Sequence, residues 1–168
     1  MIINGRHLLS YAPIVDMAGE KLINNGMSYG LSEAGYDIRI KQEITFDPWK
    51  NEVSCSDVDD WDVQMGRFII ASSVERFTMP SNLLGYVKDK SSWARQGLSV
   101  FNTVIEPGWK GFLTLELVFH GNKPITIPAG APIAQVIFEL VQSPAYYEGK
   151  YQDQDDRPVG AIHAQTSC

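Results

Sequence analysis

Apolar and polar residues alternate with a period of two along much of this 168-residue chain, the spacing of half-buried β-strands. Tyr36-Asp37-Ile38-Arg39-Ile40 alternates in this way, and Ile44-Thr45-Phe46 continues it. Arg67 to Ser73 and Leu83 to Val87 read as compact apolar strands. Leu98 to Phe101, Gly111 to Phe119, Ile125 to Pro128 and Ile133 to Val141 follow, broken by turns at Glu106-Pro107-Gly108-Trp109, His120-Gly121-Asn122 and Ala129-Gly130. Residues 6–25 differ. Leu8, Leu9, Ile14, Met17, Leu22 and Ile23 lie loosely at helical spacing and predict a helix, with Gly26 as its C′ stop. Ser91 to Arg95 predicts a single helical turn with Ser91 as N-cap. Pro48 to Asp62, with Asp57, Asp59, Asp60 and Asp62, predicts an exposed acidic loop holding at most one short strand. From Ser143 a polar, turn-rich tail wraps the surface. Many short strands at regular spacing give an all-β barrel or sandwich in one domain spanning residues 1–168.

Composition narrows the function. The formal net charge of −6 argues against a nucleic-acid polymer as partner, because a phosphate backbone calls for a basic face, whereas one triphosphate needs only a few local cations. The two cysteines, Cys55 and Cys168, lie far apart and form no disulfide framework, which suits a reducing, cytoplasmic setting. Met1 to Val15 lacks the apolar run of a signal peptide, and no stretch approaches the roughly 20 apolar residues that span a bilayer as a helix. A membrane role is not expected.

Two segments carry candidate chemistry. In Gly111 to Phe119, Leu113, Leu115, Leu117 and Phe119 share one strand face, which reads as core; Phe112, Thr114, Glu116 and Val118 share the other. Glu116 is therefore either a half-exposed strand glutamate or a carboxylate lining a pocket, where apolar walls would raise its proton affinity enough to take and return a proton near pH 7. Lys90-Ser91-Ser92-Trp93-Ala94-Arg95 crowds two cations and two hydroxyls into one turn. Helical N–H groups and serine hydroxyls favour an anion there, and Arg95 can grip phosphate oxygens with two parallel bonds; the plain alternative is a capping serine and a surface arginine. Glu106 sits at a turn, as a solvated residue or as a partner for a sugar hydroxyl. His7, His120 and His163 are isolated from one another and from the cysteines, so no zinc-ligand cluster is expected. Neither a Walker loop nor a Gly-x-Ser-x-Gly elbow occurs.

In order along the chain, the motifs resemble those of the dCTP deaminases. Ser28 to Arg39 looks like their first motif. Lys90-Ser91-Ser92-Trp93-Ala94-Arg95-Gln96-Gly97-Leu98 is similar to the Ser-Ser/Thr-x-Ala-Arg-x-Gly signature. Ile105 to Gly111, running on to Thr114-Leu115-Glu116, resembles the segment with the catalytic glutamate, and Gly130 to Phe138 and Gly149 to Gln154 resemble the last two motifs. The likeness spans residues 26–154, leaving a tail, 155–168. It implies the distorted, jelly-roll-like β-barrel shared with trimeric dUTPases, carrying a short N-terminal helix and one internal helical turn. It also implies a homotrimer with active sites at subunit interfaces, and Mg²⁺ bound through the triphosphate without direct protein ligands.

Carried over by position, the resemblance makes Glu116 general base and acid for hydrolytic, zinc-independent deamination of dCTP to dUTP and ammonia, the dUTP feeding dUMP and thymidylate synthesis. Ser91 and a carbonyl of the Thr103-Val104 loop orient the water. Lys90, Ser92 and Arg95 hold phosphates, and Thr114 and Leu115 present backbone to the base. Glu106 faces the sugar, while Gln135, Lys150 and Gln154 close over the nucleotide. Tyr147, or Tyr146, matches a family tyrosine. Asp89 departs from the pattern by standing where the family has glycine, the 140s segment is shortened and the tail is acidic; these are marks of a diverged member, a virus-encoded one acting in host cytoplasm included. A dUTP pyrophosphatase or an enzyme doing both steps, with Glu106 in place of the dUTPase aspartate, is the alternative, followed by a nucleotide-binding module without catalysis.

Overall fold

The computed structural model describes residues 1–57 and 60–163; of the residues singled out above, Asp59 and Cys168 lie outside them. The first two elements are strand β1 (Ile2–Ile3) and helix α1 (Gly5–Tyr11). Strands β2 (Lys21–Asn24), β3 (Met27–Leu31), β4 (Tyr36–Arg39), β5 (Glu43–Asp47), β6 (Glu52–Asp57) and β7 (Asp60–Met65) follow. After β8 (Phe68–Thr78) and β9 (Leu83–Asp89) comes the one-turn helix α2 (Ser91–Ala94). Strands β10 (Leu98–Val100), β11 (Val104–Ile105), β12 (Lys110–Phe119), β13 (Ile125–Ile127) and β14 (Pro132–Leu140) complete the fold.

Among the described residues the strands form three sheets in which every strand pair is antiparallel. One runs β11-β9-β14-β4-β3-β2, with β1 added on β14; one is β10-β12-β8; one is β13-β5-β6-β7. The expected all-β architecture is therefore present. Its core gathers the inward faces of all three: Ile38, Phe46, Phe77, Leu83, Leu115 and Phe138 are fully buried, and Phe46 stacks on Phe119 with ring centroids 5.3 Å apart. Among the described residues no helix is long and apolar enough to cross a membrane.

Three local expectations fail for identifiable reasons. The helix predicted over 6–25 stops at Tyr11. Ala12 turns left-handed at φ 46°, and Pro13 follows, which has no N–H and disfavours helical geometry in the residue before it. Residues 21–31 then form a hairpin. Asn25 (φ 50°) and Gly26 (φ 71°) both take positive φ in its two-residue turn, so Gly26 is a hairpin residue and no helix stop. The acidic stretch is no irregular loop but the hairpin β6–β7, paired to β5 and anchored by Val53, which is fully buried. Ile44 to Phe46 does not continue β4 but starts a different sheet, the chain crossing at Ile40, which bridges to Ser73.

Glycines at two positions of the first motif leave no room for a side chain, Gly30 against the Glu20 carbonyl and Gly35 against β14. A Cβ on Gly35 would lie 2.0 Å from the Val136 carbonyl oxygen of β14, so Gly35→Ala forces backbone apart. It is expected to cost about 3 kcal/mol or more in urea unfolding. Gly26→Ala meets no atom within 4 Å and suffers only its positive φ, for about 1 kcal/mol.

Candidate active site

Strand β12 is paired with β8 along nearly its whole length, from Lys110↔Thr78 to Val118↔Phe68. Its other edge is shared by three pieces of chain. At the C-terminal end β10 pairs with it, from Leu98↔Phe119 to Val100↔Leu117, and the Phe101 N–H adds a last bond of 2.7 Å to the Glu116 carbonyl. At the N-terminal end the tail runs alongside: Asp153 N–H donates to the Lys110 carbonyl and Phe112 N–H to the Gln154 carbonyl. Between them the Asn102 side chain donates from Nδ2 to the Thr114 carbonyl at 2.6 Å and accepts the Glu116 N–H at Oδ1 at 3.0 Å.

Beside this edge opens a cleft of 560 Å³. Of the residues expected in the site it collects Thr103, Val104, Glu106, Thr114, Glu116, Tyr147 and Gln154. The mixed strand face places Glu116 in the cleft, opposite Ile70 of β8, with Phe68 and Ile70 as apolar wall. Partial burial raises its carboxyl above the ordinary 4.5. Tyr147, not the exposed Tyr146, lines the cleft. The leucine face departs from strict alternation at one point: the register shifts between Phe112 and Thr114, and Leu113, only partly buried, packs against the core while also lining the cleft. Leu115, fully buried, stays in the core and does not line the cleft.

The residues expected to hold phosphate lie elsewhere. None of Lys90, Ser91, Ser92, Arg95 and Gln135 lines the cleft. Helix α2 is the expected single turn, but Lys90, in extended geometry, takes the N-cap position, and Ser91 is the first helical residue. The turn is anchored by buried Trp93, whose Nε1 donates to the Pro132 carbonyl at 2.7 Å, leaving Ser91, Ser92 and Arg95 exposed on its outer side. Lys90 points the opposite way. Its Nζ is buried against Asp37 Oδ2 at 2.8 Å and Ser28 Oγ at 3.3 Å, so the amine expected on a phosphate is engaged inside the chain. Gln135 donates to Ser32 Oγ at 3.0 Å. Asp89, the departure from the family pattern, accepts the Val100 N–H at 2.7 Å and so ties the end of β9 to the end of β10.

Several lining residues escaped the sequence reading. Trp109 and Tyr151 lie on the cleft wall, joined by a bond of 2.6 Å from the Trp109 indole to the Tyr151 carbonyl; only their positions inside motifs hinted at this. Val159, Gly160 and Ala161 of the tail also line it. Thr114 Oγ1 donates to Gln154 Oε1 at 3.1 Å and accepts the Val159 N–H at 3.0 Å, which lays the tail over the cleft. Lys150 sits outside, its ammonium over the Tyr151 ring at 5.2 Å and donating to the Ile162 carbonyl. Among the described residues no three His, Cys, Asp or Glu side chains gather in one place.

A family model for dCTP deaminase-like proteins matches residues 9–141. The chain belongs to that family. It is 39% identical over 153 residues to a dCTP deaminase from Chlamydia trachomatis serovar L2, covering 81% of this chain and 78% of the relative. A dCTP deaminase from Campylobacter curvus is 36% identical over 163 residues, covering 86% and 87%, and one from Neisseria gonorrhoeae is 35% identical over 161 residues, covering 88% and 81%. Among solved structures, a 2'-deoxycytidine 5'-triphosphate deaminase from Agrobacterium tumefaciens superposes with a TM-score of 0.56 at 17% identity, over 83% of this chain and 48% of that one. A native EIAV dUTPase gives 0.50 at 24% identity over 71% and 85%. At these identities the superpositions establish the fold, which the dCTP deaminase-like chain shares with dUTPases.

Burial of Glu116 has a measurable consequence. Between the ordinary carboxyl value of 4.5 and its raised value, the folded chain holds a proton that the unfolded chain releases, so stability falls as pH rises through that window. Glu116→Gln removes this effect. In thermal melts it is expected to raise the midpoint at pH 7, and the gain should vanish below pH 4.5.

Proposed function

We propose that the protein deaminates dCTP by hydrolysis, giving dUTP and ammonia, with Glu116 as proton carrier. One observation carries this reading: within a dCTP deaminase-like chain, Glu116 stands in the cleft against an apolar wall, with its proton affinity raised. Cytosine enters beside β12. Glu116 takes a proton from a water held by Ser91 and a carbonyl of the Thr103-Val104 loop, and the hydroxide adds to C4. The same carboxyl then returns the proton to the amino nitrogen, the C4–N4 bond breaks and ammonia leaves. Activation of the water falls to Glu116 rather than to a protein-held zinc, and Mg²⁺ arrives on the triphosphate as part of the substrate.

Ser91, Ser92 and Arg95 lie outside the cleft that holds Glu116. We therefore infer that the site is completed between copies of the chain in a homotrimer: one copy supplies Glu116, Glu106 toward the sugar and Tyr147, and a second supplies the clamp with Gln135. Lys90, tied to Asp37, braces the clamp loop rather than touching phosphate. Thr114 offers the second lone pair of its carbonyl to the base, beside the bond from Asn102, while Leu115 acts as core packing. Gln154, Lys150 and the tail close over the nucleotide. Because Glu106 lines the same cleft, a second reading has support: hydrolysis of the dUTP formed to dUMP and pyrophosphate in one enzyme.

Chromatography after incubation with dCTP and Mg²⁺ is expected to show dUTP and ammonia. Appearance of dUMP with pyrophosphate would add the second step, and nucleotide binding without any product would sink the catalytic reading. Glu116→Gln should lower kcat by about 10³-fold or more while leaving nucleotide affinity within about tenfold. Arg95→Ala should weaken binding about 10–100-fold. Unfolding these two variants together and refolding them as a mixture should restore part of the activity at dCTP concentrations too low to saturate Arg95→Ala, because some interfaces then pair an intact clamp with an intact Glu116; no recovery would place both halves of the site in one copy.

A further inference from the structure

The middle of the far edge of β12 is completed by a single side chain. On one side backbone pairing with the tail ends at Gln154; on the other, regular pairing with β10 ends at Val100. The gap holds the Thr114 carbonyl and the Glu116 N–H, which line or flank the cleft. We propose that Asn102 is a positioning residue for Glu116: its carboxamide substitutes for the missing strand residue, pins the main chain on both sides of Leu115 and so aims the Glu116 carboxylate into the cleft. This rests on the deaminase reading of Glu116.

The hydrogen-bonding inventory fixes how the amide sits. A carbonyl only accepts and a backbone N–H only donates, so Nδ2 must face Thr114 and Oδ1 must face Glu116. At 2.6 Å and 3.0 Å both bonds are made at once. Aspartate keeps the acceptor but loses the donor; alanine loses both.

Asn102 is itself held by a rigid approach. Asp89 accepts the Val100 N–H at 2.7 Å, and the Phe101 N–H reaches the Glu116 carbonyl at 2.7 Å, so the two preceding residues are fixed to β9 and β12 before the side chain begins. On the opposite face of β12 Leu115 is fully buried, so the strand is held between core and carboxamide. Without Asn102 the two exposed edge groups would recruit water beside Glu116, in competition with the water that reacts. A displacement of about 1 Å at a reacting group can cost ~10²-fold in rate.

Asn102→Ala and Asn102→Asp test this, each measured for kcat and KM with dCTP and Mg²⁺ and for hydrogen exchange of the peptide covering residues 112–118. Positioning predicts kcat lower by about 10–100-fold, KM within about threefold, and faster exchange in that peptide. An unchanged kcat overturns the proposal, and so does a higher KM at unchanged kcat, which would make Asn102 a ligand of the substrate. Failure of both variants to fold also overturns it, since Asn102 would then hold the fold rather than aim a carboxylate. If the unaltered protein leaves dCTP intact, the deaminase reading fails with the role in catalysis, while the exchange measurement still shows whether the carboxamide clamps the strand.

Discussion

The candidate site depends on how the two edges of β12 are satisfied. A buried or half-buried strand cannot leave its N–H and C=O groups without partners, because each orphan costs about as much as the bond it lacks. Strand β8 satisfies one edge almost without interruption. The other edge is met piecewise, by β10, by the Asn102 carboxamide and by the tail. A continuous partner strand would have sealed that edge. Piecewise pairing leaves room for a cleft in the middle, and Glu116 lies there with Thr114. The bulge at Leu113 belongs to the same arrangement, since it lets an apolar side chain that packs against the core also form cleft wall without interrupting the strand.

Alternation along Gly111 to Phe119 was enough to put Glu116 on the face opposite the leucines, because side-chain direction in a strand follows from period two alone. It could not foresee Leu113, as a bulge inserts a residue without leaving a mark in the hydrophobic pattern. The 6–25 helix failed for a different reason. Apolar residues at loose helical spacing also suit a short helix, a turn and a strand in succession, and the decisive marks were Pro13 and Asn25-Gly26. In the acidic stretch, charge hid a hairpin anchored by Val53. The ordered motifs gave the family, since they depend on residue identity. They gave no distances: Asn102, Tyr151 and residues 159–161 reach the cleft through folding that brings distant segments to one edge.

The Lys90–Arg95 motif shows how a linear pattern merges two jobs that the fold separates. Lys90 turns inward, where a lone ammonium would be expensive and a carboxylate partner offsets the loss of water. Asp37 supplies it, together with Ser28. Ser91, Ser92 and Arg95 turn outward, held by Trp93 beneath them. The cation count in the sequence therefore overstates the charge the turn presents, and Arg95 carries the outward positive charge of the motif. Asp89 falls into place by the same reasoning. Its carboxylate bonds the Val100 N–H, so it closes the loop that carries α2 by tying β9 to β10.

The tail closes the circle of constraints on Thr114. A hydroxyl has one proton to give and two lone pairs to receive, and Thr114 gives its proton to Gln154 while receiving the Val159 N–H. Its carbonyl is taken by Asn102. One residue thus ties the tail, the Asn102 segment and β12 together at the cleft, two positions before Glu116 on the same strand face. Lys41 reinforces the tail from the bend between β4 and β5 by pairing with Asp156 at 2.7 Å, an exposed contact of small energetic weight. The order of strength follows: backbone pairing at Gln154 and the Thr114 hydroxyl fix where the tail lies, and the charged contact only steers it. Further bonds secure its start, since Gln152 accepts the Lys110 N–H and donates to the Gly108 carbonyl, while β12 keeps β8 along its other edge.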